Sequence, residues 1–183
     1  MGLGGFSEAV ARRGLTTEWD ALIYAEAGDP STAALVKAVI SAESSWDPTA
    51  ENPADPSVGL MQILVGLRGP YPGYMREQLL VPATNIVLGT SFLRELIARY
   101  GSTSDALSAY NAGHPSRAAG GGYSNQAYVD TVQTYWTWYL NNTPTASGPP
   151  PEVPPSADAS APEVVPIAAL AAALGVAFLL VRR

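Results

Sequence analysis

"KAVISAESSWDP", Lys37–Pro48, decides how this chain is read. Just upstream, Asp29 stands where a helix N-cap is wanted and Pro30 stands just inside it, so a helix is predicted to run into the quoted stretch. Leu35, Val39, Ala42 and Trp46 share one stripe at helical spacing; Val36, Ile40 and Glu43 share the adjoining one. A carboxylate beside an apolar stripe near a helix C-terminus is opposed by desolvation and by the negative helix end. Both raise its pKa and keep a proton available near neutral pH, which is what a general acid requires. Taken alone, the same position also suits a plainer role: a glutamate at the stripe's edge with its head in water.

Composition narrows the function classes. The chain has 183 residues, room for one ordinary domain with appendages. A net charge of −6 argues against a basic nucleic-acid-binding face. Without cysteine there is neither a disulfide framework nor a thiolate metal site. One histidine, His114, cannot build a multi-histidine metal centre, and no G-x-S-x-G elbow accompanies it for a Ser-His-Asp triad. No metal or cofactor is expected.

The periodicity predicts a mainly α domain with loop-rich breaks and almost no strand. Besides the first helix, Thr17–Gly28 reads as a helix capped by Thr17. Thr84–Gly101 carries Ile86, Gly89, Leu93, Leu96 and Tyr100 at helical spacing and stops at Gly101. "STSDALSAYNAG" opens with a capping-box pattern, Ser102 to Asp105, and stops at Gly113. A last helix carries Tyr128, Val132, Tyr135 and Tyr139 on one face.

Three zones divide the chain: a helical domain over residues 1–140, a linker over 141–163 and a C-terminal segment over 164–183. The linker is rich in Pro, Ala and Ser, has no aromatic residue and cannot bury a core. At its length a random coil would span about 25–30 Å root-mean-square. Val164–Val181 is uncharged for 18 residues and is followed by Arg182–Arg183. At ~1.5 Å per residue it is just long enough to cross a hydrocarbon core, so a C-terminal transmembrane anchor is expected, with the folded domain on the side away from the arginines. The N-terminal stretch has no apolar run of secretory-signal length, and Phe6 stands where a myristoylation motif wants Ser or Thr.

Further motifs supply a cleft for Glu43. "PADPSVGLMQI" (Pro53–Ile63) sets Ser57 and Gly59 before Met61, a soft apolar wall, and Gln62, an amide suited to sugar hydroxyls and N-acetyl groups. A turn followed by a core helix, with Gln62 on its wet side, would explain the same residues. "SAYNAG" (Ser108–Gly113) brings Tyr110, able to stack on a sugar and bond through its hydroxyl, and Asn111, which also suits a helix end.

The ordered set "ESSWDP … SVGLMQI … NIVLGTSFLREL … AYNAG … YV" resembles the soluble lytic transglycosylase (SLT-type) domain of the lysozyme-like superfamily, over roughly Asp20–Leu140. The resemblance implies a lysozyme-like helical fold with Glu43 as the sole catalytic carboxylate. It implies Ser57, Met61, Gln62, Tyr110 and Asn111 along the glycan cleft and the Tyr128 hydroxyl near Glu43. Two departures stand out. Only Val58 separates Ser57 from Gly59, where many members have a longer loop. Ser124–Asn125–Gln126–Ala127 carries no acid, where many place an E-T pair before Y-V.

The implied substrate is the peptidoglycan glycan strand, cut between N-acetylmuramic acid and N-acetylglucosamine with a 1,6-anhydro product. Two alternatives remain. A hydrolase similar to goose-type lysozyme would need a second carboxylate, with Asp55 ahead of Asp47 and Glu51, at ~6.5–9.5 Å if it inverts. A non-catalytic glycan-binding component of a virion or envelope complex is the other. The zoning suggests wall digestion close to a membrane, as by a phage virion protein or an envelope enzyme, with other virion or envelope proteins as partners.

Overall fold

The chain is described by a computed structural model that covers residues 5–66 and 69–143. Its central element is the helix predicted above. Asp29 caps it, its Oδ1 accepting from the Ser31 and Thr32 amides at 2.9 Å each, and Pro30 fills the first turn. In chain order the elements are α1 (Glu8–Arg13), α2 (Asp20–Ala27), α3 (Pro30–Glu43), β1 (Ser57–Val58), β2 (Ile63–Leu64), α4 (Arg76–Leu79), α5 (Pro82–Tyr100), α6 (Thr103–Ala112) and α7 (Gln126–Asn142). The domain is mainly helical, in agreement with the expected class.

A one-sided stripe understates α3. Every residue from Ala33 to Ser41 is buried. α7 packs along it most extensively, with α2 and α1 also against it, while α5 packs on α2 and α6. Alanines at 33, 34 and 38 let these neighbours close in on more than one side. Lys37, the chain's only lysine, is 1% exposed; its Nζ lies 2.9 Å from Asp20 and donates to the Leu15 carbonyl. That pairing is what allows a charge on a helix enclosed this way.

α3 ends by a sharp turn. After Ser44, both Ser45 (φ 53°) and Trp46 (φ 69°) adopt left-handed backbone. The Trp46 indole holds the turn, donating to Ser41 Oγ (2.9 Å) and to the Tyr139 hydroxyl (3.2 Å) and stacking on Trp19. Tyr139 donates in turn to the Ala11 carbonyl (2.9 Å), so one buried hydroxyl joins α1, α7 and the end of α3. The end of α3 that carries Glu43 is therefore tied to α1 and α7.

Several boundaries differ from expectation. Thr17 does not cap α2: the helix starts at Asp20, and the Thr17 hydroxyl donates to Asp20 Oδ1 instead. Ser102 Oγ does accept from the Asp105 amide, but Asp105 turns away to Arg117 and Tyr123, so the capping box is half made. α7 runs to Asn142, taking Asn141 and Asn142 out of the expected linker. α1 and α4 were not anticipated. Among the described residues no helix is long and apolar enough to cross a membrane. The rest of the expected linker and the Val164–Val181 segment lie outside the described residues.

After Ser57 the chain forms a small hairpin and not the turn and core helix that is the alternative reading of this segment. β1 pairs antiparallel with β2, Ser57 opposite Leu64 and Val58 opposite Ile63. Two-residue strands show no readable alternation. The hairpin is held from outside by buried Asn85 on α5. Its Oδ1 accepts from the Met61 amide (2.7 Å), and its Nδ2 donates to the Val58 (2.9 Å) and Leu79 (2.7 Å) carbonyls. Gly59 makes this approach possible: its φ is +80°, and a Cβ there would lie 2.4 Å from Asn85 Nδ2.

Candidate active site

Glu43 is the last residue of α3 and opens into a cleft of about 480 Å³. The hairpin and the 52–57 loop line it, together with the C-terminal part of α6 and the Gly113 that follows, Phe92 from α5 and Gly69–Pro70. The Glu43 carboxyl is largely enclosed. Burial raises its pKa from 4.5 to about 7, against the Tyr128 hydroxyl bond, which lowers it, and with a smaller upward push from the Asp55 charge. Desolvation is the cause anticipated from the stripe.

Tyr128, fully buried on α7, donates to Glu43 Oε1 at 2.6 Å. This bond orients the carboxyl and occupies Oε1, leaving Oε2 to carry the exchangeable proton. Burial and the neighbouring Glu43 keep the Tyr128 hydroxyl well above its ordinary pKa, so it stays a donor.

The other expected residues divide. Ser57, Gln62, Tyr110 and Asn111 line the same cleft as Glu43. Met61 does not: its side chain is fully buried and packs on Gly89 of α5, where a Cβ would lie 2.4 Å from its sulfur. It is a core residue, tied to the site only through its carbonyl, which accepts from the Tyr110 hydroxyl at 2.8 Å. That bond commits the Tyr110 hydroxyl to the protein, so Tyr110 offers its ring, tilted against Phe92 at 5.4 Å. Gln62, in left-handed backbone (φ 47°), spends its amide nitrogen on the Ala50 (3.0 Å) and Gly59 (2.9 Å) carbonyls. What it can offer a ligand is its oxygen, an acceptor. Asn111 does not terminate α6; Gly113 does, in left-handed backbone.

The three loop acids separate cleanly. Asp47 accepts from Thr49 in a local turn, and Glu51 pairs with Arg76. Only Asp55 of the three lines the cleft, its Oδ1 accepting from the Ser57 amide (3.1 Å) and its Oδ2 from Asn52 (3.1 Å). Phe92 and Asn52 are cleft residues that periodicity missed, because Phe92 looks like one more apolar helix position and Asn52 like a turn residue. A second, more open groove of about 590 Å³ follows α7 past Phe6 and Trp138, but Asp130 is the one acid lining it and Glu43 is not among its lining residues.

A helical domain with one enclosed carboxyl at the base of a polar-and-aromatic cleft is the setting in which the family match falls. The transglycosylase SLT domain family model matches residues 20–128, more than half the chain, and the chain belongs to this family. It is 40% identical over 84 residues to a soluble lytic murein transglycosylase of Escherichia coli (strain K12) and 39% identical over 84 residues to one of Salmonella typhimurium. Each match covers 42% of this chain and 13% of the relative.

Proposed function

We propose that this chain is a peptidoglycan lytic transglycosylase with Glu43 as its single acid–base group. The observation that carries the reading is the enclosed Glu43 carboxyl, raised to about 7 and oriented by Tyr128, at the base of the cleft. Near neutral pH both its protonated and ionised forms are populated, which suits a group that must give and then take a proton.

In the first step Glu43 Oε2 protonates the glycosidic oxygen between N-acetylmuramic acid and N-acetylglucosamine, and the bond to the anomeric carbon breaks with oxocarbenium character. In the second, Glu43 removes the proton of the muramic C6 hydroxyl as its oxygen bonds to the anomeric carbon. The carboxyl ends protonated as it began, no water is consumed, and the product carries a 1,6-anhydro ring. Burial of Glu43 favours its neutral starting form. The Tyr128 bond stabilises the carboxylate between the steps. Tyr110 and Phe92 give the sugar an apolar face, and Gln62 Oε1 an acceptor.

A second reading keeps one observation in its favour. Asp55 lines the same cleft, so it could activate water and make the enzyme a hydrolase. Mass spectrometry of products from purified sacculi separates the two. Anhydro ends, with turnover surviving Asp55→Asn, support the transglycosylase; products heavier by one water, lost with Asp55→Asn, overturn it. Full turnover by Glu43→Gln would sink both, and only a parent chain that binds sacculi without turning them over would leave the non-catalytic glycan-binding role.

For the setting, we propose wall cleavage close to a membrane, by a virion or envelope protein held through Val164–Val181. The support is compositional: a proline-rich stretch followed by an uncharged apolar segment and two arginines. Flotation with lipid vesicles tests it. The full chain should rise and a truncation after Thr143 should stay at the bottom; if both stay down, the anchor is wrong.

A further inference from the structure

The cleft wall made by α6 is held by a hydrogen-bond chain whose every direction is set by two backbone groups. The Ser116 amide, which can only donate, donates to Ser108 Oγ (3.0 Å). The Ser108 hydroxyl hydrogen therefore goes to Asn125 Oδ1 (2.8 Å). The Ser108 carbonyl, which can only accept, takes Asn125 Nδ2 (3.0 Å), so the Asn125 amide is oriented from both of its ends. The same Nδ2 lies 3.0 Å from Asn111, and the Asn111 atom facing a donor must be the acceptor, Oδ1. Asn111 Nδ2 is then left with no internal partner among the described residues, on an exposed side chain that lines the cleft.

We infer that Asn125 is a positioning residue that fixes the polarity of the cleft: it turns Asn111 so that this side chain presents an N–H donor, and the wall selects a sugar acceptor oxygen in place of a hydroxyl donor. This rests on the cleft being the glycan site proposed above. It also gives a role to the segment Ser124–Ala127, where the chain departs from the family pattern. Gln62 lines the same cleft with its oxygen left to accept, so the cleft offers its ligand one acceptor and one donor. Ser108 is fully buried, so its end of the chain of bonds is shielded from competing water, while the Asn125–Asn111 bond lies at the exposed end that meets the cleft.

The test uses Glu43→Gln as parent and penta-N-acetylchitopentaose as probe, with affinity read by calorimetry. Asn111→Asp replaces the donor by an acceptor on an exposed side chain and should weaken binding about tenfold or more. Asn125→Asp puts an acceptor opposite Asn111, which turns its amide, and should weaken binding by a similar factor. In an Asn111→Ala background, Asn125→Asp should change affinity by less than about twofold, since its effect runs through Asn111. A purely structural role for Asn125 would cost the same in both backgrounds and would overturn the inference, as would parent-like binding by Asn111→Asp. Should Asn125→Asp not fold, the Asn111→Asp comparison decides. If Glu43→Gln still turns over sacculi, the proposed mechanism fails, while these affinities still judge the role of Asn125.

Discussion

Replacing Glu43 by Gln should make the protein inactive and, above neutral pH, more stable. Gln keeps the shape and an oxygen to accept the Tyr128 hydroxyl, but it cannot ionise. Burial moves the Glu43 pKa from 4.5 to about 7, so between those values the folded chain binds more protons than the unfolded one. Stability therefore falls as pH rises through that window, and the loss is complete above the folded value. At about 1.36 kcal/mol per pH unit the full shift corresponds to about 3.4 kcal/mol. The carboxyl's opening to the cleft reduces this to about 2–3 kcal/mol. Urea unfolding followed by tryptophan fluorescence should then show almost no difference between variant and parent near pH 4.5. By pH 8 the variant should be more stable by about 2–3 kcal/mol. An equal difference at both pH values, or none at pH 8, would refute the claim that Glu43 is held proton-rich by burial.

Further variants probe its surroundings. Tyr128→Phe removes the bond that lowers the Glu43 pKa, so the alkaline limb of kcat/KM on sacculi should move upward, with kcat falling about 10–100-fold; an unmoved limb would show that the hydroxyl does not act on Glu43. Asn85→Ala removes three buried bonds, two to the hairpin and one to the end of α4, and should cost about 3 kcal/mol, with faster hydrogen exchange at the Met61 amide. Gly89→Ala drives a methyl into Met61 and should cost about 1–3 kcal/mol in thermal melting, partly recovered by adding Met61→Ala; no recovery would mean that Met61 is not what the methyl meets.

The helices were legible because caps and periodicity are local. Asp29 and Pro30 begin α3, and Tyr128, Val132, Tyr135 and Tyr139 mark the buried face of α7, where the structure buries them. The hairpin was not legible, since its two-residue strands depend on Asn85, which is more than twenty residues away. Met61 was misplaced for a related reason. Its neighbours line the cleft, but the turn at Gly59 and the left-handed Gln62 send its side chain to the opposite side. Lys37 is enclosed on α3 through an ion pair with Asp20 of α2, a partner that helical spacing does not reveal.

From the sequence alone, Glu43 could be put on an apolar helix near its end, with a reason for a raised pKa and a set of motifs that suggested a sugar cleft. Those properties follow from spacing and residue chemistry. Which atoms face a ligand was decided only when α3, the hairpin, α6 and α7 met. Hydrogen bonds are saturable and directional, so the partners that Tyr110, Gln62 and Asn111 take inside the protein determine what each has left to offer. Those partners come from distant parts of the chain, and no local pattern records them.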